Sequence, residues 1–207
     1  MICFAALVVL GCASAPGTFL LVDHRDGARP REFHESFTEA YFDRTPAGNI
    51  QVALRRQEPG GMDSPAITQI AFVRTFWRSV PGRTTAESTQ INANVGYFIV
   101  SGETGESFEG SGAVFFNLDN WSGVLTGTLD HATLALSRQL SKNTPLFSRV
   151  TLSGKFRAER NPQMVARWVN EMNRRFGPDD SQNLNSPATP PKAIRDAGRQ
   201  SGAKSPP

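Results

Sequence analysis

The stretch Ile91-Asn92-Ala93-Asn94-Val95-Gly96-Tyr97-Phe98-Ile99 decides the reading of the fold. Ile91, Ala93, Val95, Tyr97 and Ile99 fall on every second position, with Asn92 and Asn94 between them. That period puts apolar side chains on one face of an extended chain, the signature of a half-buried strand. Ser101 to Glu106 is a Gly-containing turn, and Phe108, Val114, Phe116 and Leu118 form the next stripe. Asn117 to Gly123 turns the chain again. Val124 to Ser137 is a long strand candidate, and Val150, Leu152, Phe156 and Ala158 mark the last one.

Toward the N-terminus the same alternation holds. Ile70, Phe72 and Phe76 lie on one side of the segment Ile67 to Arg78, with Ala71, Val73 and Trp77 on the other. Apolar residues on both sides predict a strand covered on both faces. Ile50, Val52 and Leu54 share one face, after turn chemistry at Thr45-Pro46-Ala47-Gly48-Asn49. Phe33 to Asp43 reads two ways. Phe33, Phe37 and Tyr41 are spaced as a helix could use them, while the aromatic and Thr neighbours favour a strand. Thr18 to Val22 is a short strand candidate, and Asp23 to Gly27 reads as a charged turn.

About five consecutive long strands, joined by short loops and preceded by a hairpin, predict antiparallel neighbours and a meander. Gly96, Gly110, Gly112, Gly127 and Gly154 recur inside the strands. Mid-strand glycines mark bulges and bends, so the expected fold is mainly β, a curved antiparallel sheet or small barrel, with a sandwich as the alternative. One helix follows. Asn161 is a good N-cap with Pro162 at the first helical position, and Gly177-Pro178 ends the segment. Val165, Trp168, Val169, Met172 and Phe176 make its apolar face. It is expected to pack on the sheet or to plug a barrel end. Residues 178–207 carry six prolines and few large apolar residues, and read as a disordered tail.

The first residues carry a different signal. Ile2 to Leu10 is almost continuously apolar, too short to span a bilayer, which takes roughly 20 helical residues. Val9-Leu10-Gly11-Cys12 follows, aliphatic residues and a small residue before a cysteine. This resembles the lipobox of bacterial prolipoproteins. The resemblance covers about a dozen residues and implies cleavage before Cys12 and acylation there. Met1-Ile2-Cys3-Phe4 lacks the basic residue that the family pattern includes. The expected division is a signal peptide over 1–11, a lipid anchor and lead-in over 12–30, a β-domain over 31–177 with its helix at 161–176, and the tail. The expected place is the cell envelope, on the outer membrane facing the periplasm.

Composition narrows the chemistry. The 22 basic and 19 acidic residues give a net charge of +3, with scattered Arg and no dense basic run, so no nucleic-acid partner is expected. Both cysteines, Cys3 and Cys12, lie in the leader region, which leaves the body without a thiolate zinc site, a disulfide or a cysteine nucleophile. Gly110-Ser111-Gly112 lacks the spacing of a nucleophile elbow, and no phosphate-binding loop is present. His34-Glu35 and Asp130-His131 are adjacent, so in regular strands their side chains point apart. Asp23-His24-Arg25-Asp26 is the best metal candidate but reads as a solvated turn. Glu103, Glu106 and Glu109 read as a solvated acidic hairpin. No catalytic residue, metal or cofactor is therefore expected. The loop from Phe76 to Thr85 joins Trp77, Arg78 and Arg83 around Pro81-Gly82, and Trp and Arg are frequent anchors of binding surfaces. The expectation is a non-catalytic envelope lipoprotein that binds a protein or glycan or supports an assembly. A lipocalin-like carrier of a small apolar ligand is the alternative, and an envelope hydrolase the third.

Overall fold

The computed structural model describes residues 15–25, 29–62, 64–76, 82–83, 91–119 and 123–176. The chain runs β1 (Gly17–Asp23), β2 (Arg31–Phe37), β3 (Glu39–Arg44), β4 (Ile50–Glu58), β5 (Ile67–Thr75), β6 (Gly82–Arg83), β7 (Ala93–Ser101), β8 (Thr104–Asp119), β9 (Val124–Gln139), β10 (Arg149–Arg160) and α1 (Pro162–Phe176). The ambiguous aromatic segment is extended. It forms β2 and β3, which are separated at Thr38.

From β3 to β10 the neighbours follow chain order, apart from the short β6, and every one of these ladders is antiparallel. The expected simple meander is incomplete in two respects. β10 turns back to β3, where Glu159 and Arg160 pair in parallel with Tyr41 and Phe42, and so closes the sheet into a ring. Near the other end β1 is inserted between β10 and β2, antiparallel to both. A sheet that closes on itself has few exposed edges and encloses its own core.

The alternating residues fill that core. Phe19, Leu54, Val95, Phe116, Leu134 and Leu152 belong to one interior cluster of buried side chains. Its packing explains two of the recurring glycines. Phe156 of β10 lies between Gly127 of β9 and Gly17 of β1, and Phe19 of β1 pairs with Gly154. A Cβ on Gly127 would overlap the Phe156 ring, and one on Gly154 would overlap the Phe19 ring. The glycines leave the room that the rings occupy. Gly154 also sits where the β9–β10 register shifts.

A second cluster lies outside the ring. Ala53, Ile70, Phe72, Phe98 and Val100 are the outward residues of β4, β5 and β7, and Val165, Trp168, Met172 and Phe176 of α1 cover them. This is why β5 and β7 are apolar on both faces. The helix therefore packs on the barrel wall and does not plug an end. Its start is as the sequence predicts. The Asn161 side chain accepts the Met164 amide at 3.1 Å, and Arg174 and Arg175 stand in the last turn. Tyr41 packs on Trp168 with centroids 5.3 Å apart, and the Arg55 guanidinium lies 5.8 Å from the Trp168 ring.

Candidate functional site

The barrel end formed by the close of β1, β4 and β7 and the start of β2, β5, β8 and β10 is where polar and apolar groups converge. The strap between β9 and β10, residues 140–148, crosses it. Phe147 of the strap enters the opening, 5.3 Å from the Phe33 ring and 5.8 Å from the Phe108 ring between centroids. Tyr97 lies behind Phe108 at 6.5 Å. The strap is a short non-repetitive segment whose backbone groups need partners when they leave water. Two buried carboxylates meet that need on either side of Phe147. Glu106 accepts the Leu146 amide with both oxygens at 3.0 Å, and Asp23 accepts the Ser148 amide at 3.4 Å. Arg25 adds a bond to the Leu146 carbonyl at 2.6 Å and lies 3.5 Å from Asp23 Oδ2.

Glu106 and Asp23 correct two expectations. Glu106 is 6% exposed and Asp23 is fully buried, so neither belongs to a solvated turn. Glu103 stays exposed at its turn and Glu109 is half-buried on β8. Strand parity explains the difference, because Glu106 shares the inward face with Phe108. Burial raises the Glu106 carboxyl above its ordinary value, and the Leu146 amide partly opposes that rise. Its other partner is the Gln139 side-chain amide at 3.4 Å.

Beside Glu106 the strap roofs a pocket of about 280 Å³. Ile67, Ile99 and Leu146 supply apolar wall, and Ser101, Thr104 and Asn143 supply polar groups. Around the same opening, Arg56 bridges Glu35 of β2 and Glu58 of β4, two strands that share no ladder. Burial raises Glu35, and Arg56 pulls the other way. Gln69 carries a buried side-chain oxygen without a hydrogen-bond partner.

The outer wall offers a second concavity. Two open grooves, of about 450 and 640 Å³, share Thr128 and Lys155 across β9 and β10. His34 and Asp130 line the larger one. Here the third correction arises. Asp130 and His131 do not point apart, because their side chains are in contact. In β9 these two residues oppose the single Ser153 of β10, and His131 takes a φ of 45°. The bulge breaks the alternation and turns neighbouring side chains to one side. The Ser153 hydroxyl is engaged by the His131 backbone amide at 3.1 Å. His24 instead meets Thr151 Oγ1 at 2.8 Å. Among the described residues no group of three His, Cys, Asp or Glu side chains is placed to hold a metal ion.

Cys12, Trp77, Arg78, Asp26, Trp121 and the tail lie outside the described residues. Arg83 contributes its backbone to β6, which pairs with Asn117 and Leu118 at the end opposite the strap. Phe76 and Ile91 flank this loop and are 41% and 64% exposed. The sequence reading missed Phe147 and the acids that hold its neighbours. Its one available signal was the adjacent apolar pair Leu146-Phe147 after the polar run Ser141-Lys142-Asn143-Thr144. No family model, curated protein or solved structure matches the chain.

Proposed function

We propose that this chain is a non-catalytic envelope lipoprotein, anchored through Cys12, whose barrel acts as a binding module. The observation that carries the binding reading is the filled interior. Rings and aliphatic side chains from all around the sheet pack into one cluster, so recognition belongs to the surface and the ends. Phe76 and Ile91, exposed beside the loop of Trp77, Arg78 and Arg83, add apolar surface of the kind that protein partners cover. Membrane attachment rests on the lipobox resemblance. Among the described residues no helix is long and apolar enough to cross a membrane, which says nothing of spanning by strands.

The test is intact mass and membrane partition of the full chain beside Cys12→Ala. The proposal expects a mature chain that starts at Cys12, carries acyl mass and sediments with membranes, with all three lost in the variant. An unmodified chain that partitions as the variant does would overturn the anchor. The carrier reading retains one observation in its favour, the strap-roofed pocket at the barrel mouth. At about 280 Å³ it is small beside ordinary ligand sites, which run from roughly 300 to 1,000 Å³.

A further inference from the structure

The strap-roofed pocket has a composition that selects a ligand. Glu106 stands in its wall with 6% of its surface exposed, and its hydrogen-bond partners are the neutral amides of Leu146 and Gln139. A carboxylate has about four acceptor sites; Leu146 engages both oxygens and Gln139 engages Oε1, so about one site, on Oε2, remains. A buried anion answered, among the described residues, by amides alone favours a cationic donor, because a charge-assisted bond is stronger than a neutral one. The rim is apolar. Ile67, Leu140 and Leu146 are three of the six large apolar side chains that the described residues expose, at 36%, 40% and 54%. Ile67 and Leu146 line the pocket, and Leu140 lies beside it, its amide bonded to the carbonyl of the lining residue Gly105 at 2.8 Å. Ile99 continues the apolar wall inward.

We propose that this pocket binds a small alkylammonium group, its ammonium on the remaining acceptor site of Glu106 Oε2 and its alkyl part against Ile67, Ile99 and Leu146. Ser101, Thr104, Ser141, Asn143 and Thr144 are the polar residues that complete the wall around such a head group. The volume admits one short chain or one cationic side chain. The site deepens the binding-module reading and rests on it. Membrane partition of the chain is untouched by the experiment below, so the anchor and the pocket can fail separately.

The experiment titrates n-hexylammonium into the full chain and follows the backbone amide resonances of Ser101, Thr144 and Leu146, with hexanoate and 1-hexanol as controls. Saturable shifts with hexylammonium, and binding of hexanoate weaker by about tenfold or more, are expected from the loss of one charge-assisted contact. Glu106→Gln keeps an acceptor for Leu146 and removes the charge. It should weaken hexylammonium about tenfold and leave 1-hexanol unchanged. Should that variant fail to fold, Thr144→Trp at the exposed rim fills the pocket and should abolish the shifts. Equal binding of hexanoate and hexylammonium, absence of saturation, or indifference to these substitutions would overturn the proposal.

Discussion

Both carboxylate oxygens of Glu106 lie 3.0 Å from the amide nitrogen of Leu146, a residue 40 positions further along the chain. On the other side of Phe147, Asp23 holds Ser148. One aromatic side chain thus enters the barrel mouth between two backbone amides fixed by acids from distant strands. Glu106→Ala removes one of these holds. The Leu146 and Phe147 amides should then exchange with solvent faster, while the amides of α1 keep their protection. A lost hydrogen bond to a charged group corresponds to about 1.5–3 kcal/mol at a buried site, and the exposed strap puts this one at the lower end. Hydrogen exchange read by NMR checks it, and equal protection of Leu146 in both proteins would contradict it.

The same carboxylate sets a pH dependence. Its folded pKa is raised above the ordinary 4.5. The folded state therefore binds this proton more tightly than the unfolded state, and stability falls as pH rises from that value through the higher folded one. Glu35 acts in the same direction, since burial raises it too. Thermal midpoints of the wild type and Glu106→Gln, measured from pH 4 to 7, should separate in favour of the variant as pH increases. Parallel curves would place the Glu106 proton at its ordinary affinity.

Phe147 reaches the mouth from a loop but packs as a core residue, against Phe33 and Phe108. Phe→Ala changes in a full core cost about 3–5 kcal/mol, and Phe147 is half-buried, so Phe147→Ala should lose about 2 kcal/mol. Phe147→Leu keeps most of the apolar contact and should lose about half as much. Denaturant midpoints at constant slope are the measurement. A loss below about 0.5 kcal/mol for the Ala variant would mean that the strap covers the mouth without closing it.

How much of this was legible depended on the distance over which each feature is encoded. The stripe is local, and Ala93, Val95, Tyr97 and Ile99 lie inside the barrel as their alternation requires, while Ile91, which opens the stripe in the sequence, precedes β7 and is exposed. The doubled pattern at Ile70 and Ala71 correctly announced two covered faces, although only contacts with Trp168 and Met172 identify the outer cover as the helix. The parallel closure of β10 on β3 rests on two residue pairs more than a hundred positions apart, and no local period reports it. Asp130 and His131 were read through regular alternation, which the left-handed φ of His131 suspends. Glu106 looked solvated because its sequence neighbours include other acids. Its inward position depends on the phase set by Phe108, and its partner comes from the strap.

The cross-strand relation of Gly127 and Phe156 gives a prediction in which two residues must fail together. They are directly paired, and a Cβ on Gly127 would overlap the ring. Gly127→Ala alone forces the ring or the backbone aside, and overpacking of this kind costs about 1–3 kcal/mol. Phe156→Leu alone leaves part of the ring's volume empty and should cost about 1–2 kcal/mol. In the double variant the new methyl enters space that the shorter side chain has vacated. The two losses should then sum to more than the measured loss by about 1 kcal/mol, the scale of coupling between residues in contact. A double-mutant cycle by urea unfolding measures this directly. Strict additivity would mean that the alanine methyl is accommodated by backbone movement in β9 and that the ring does not require the glycine.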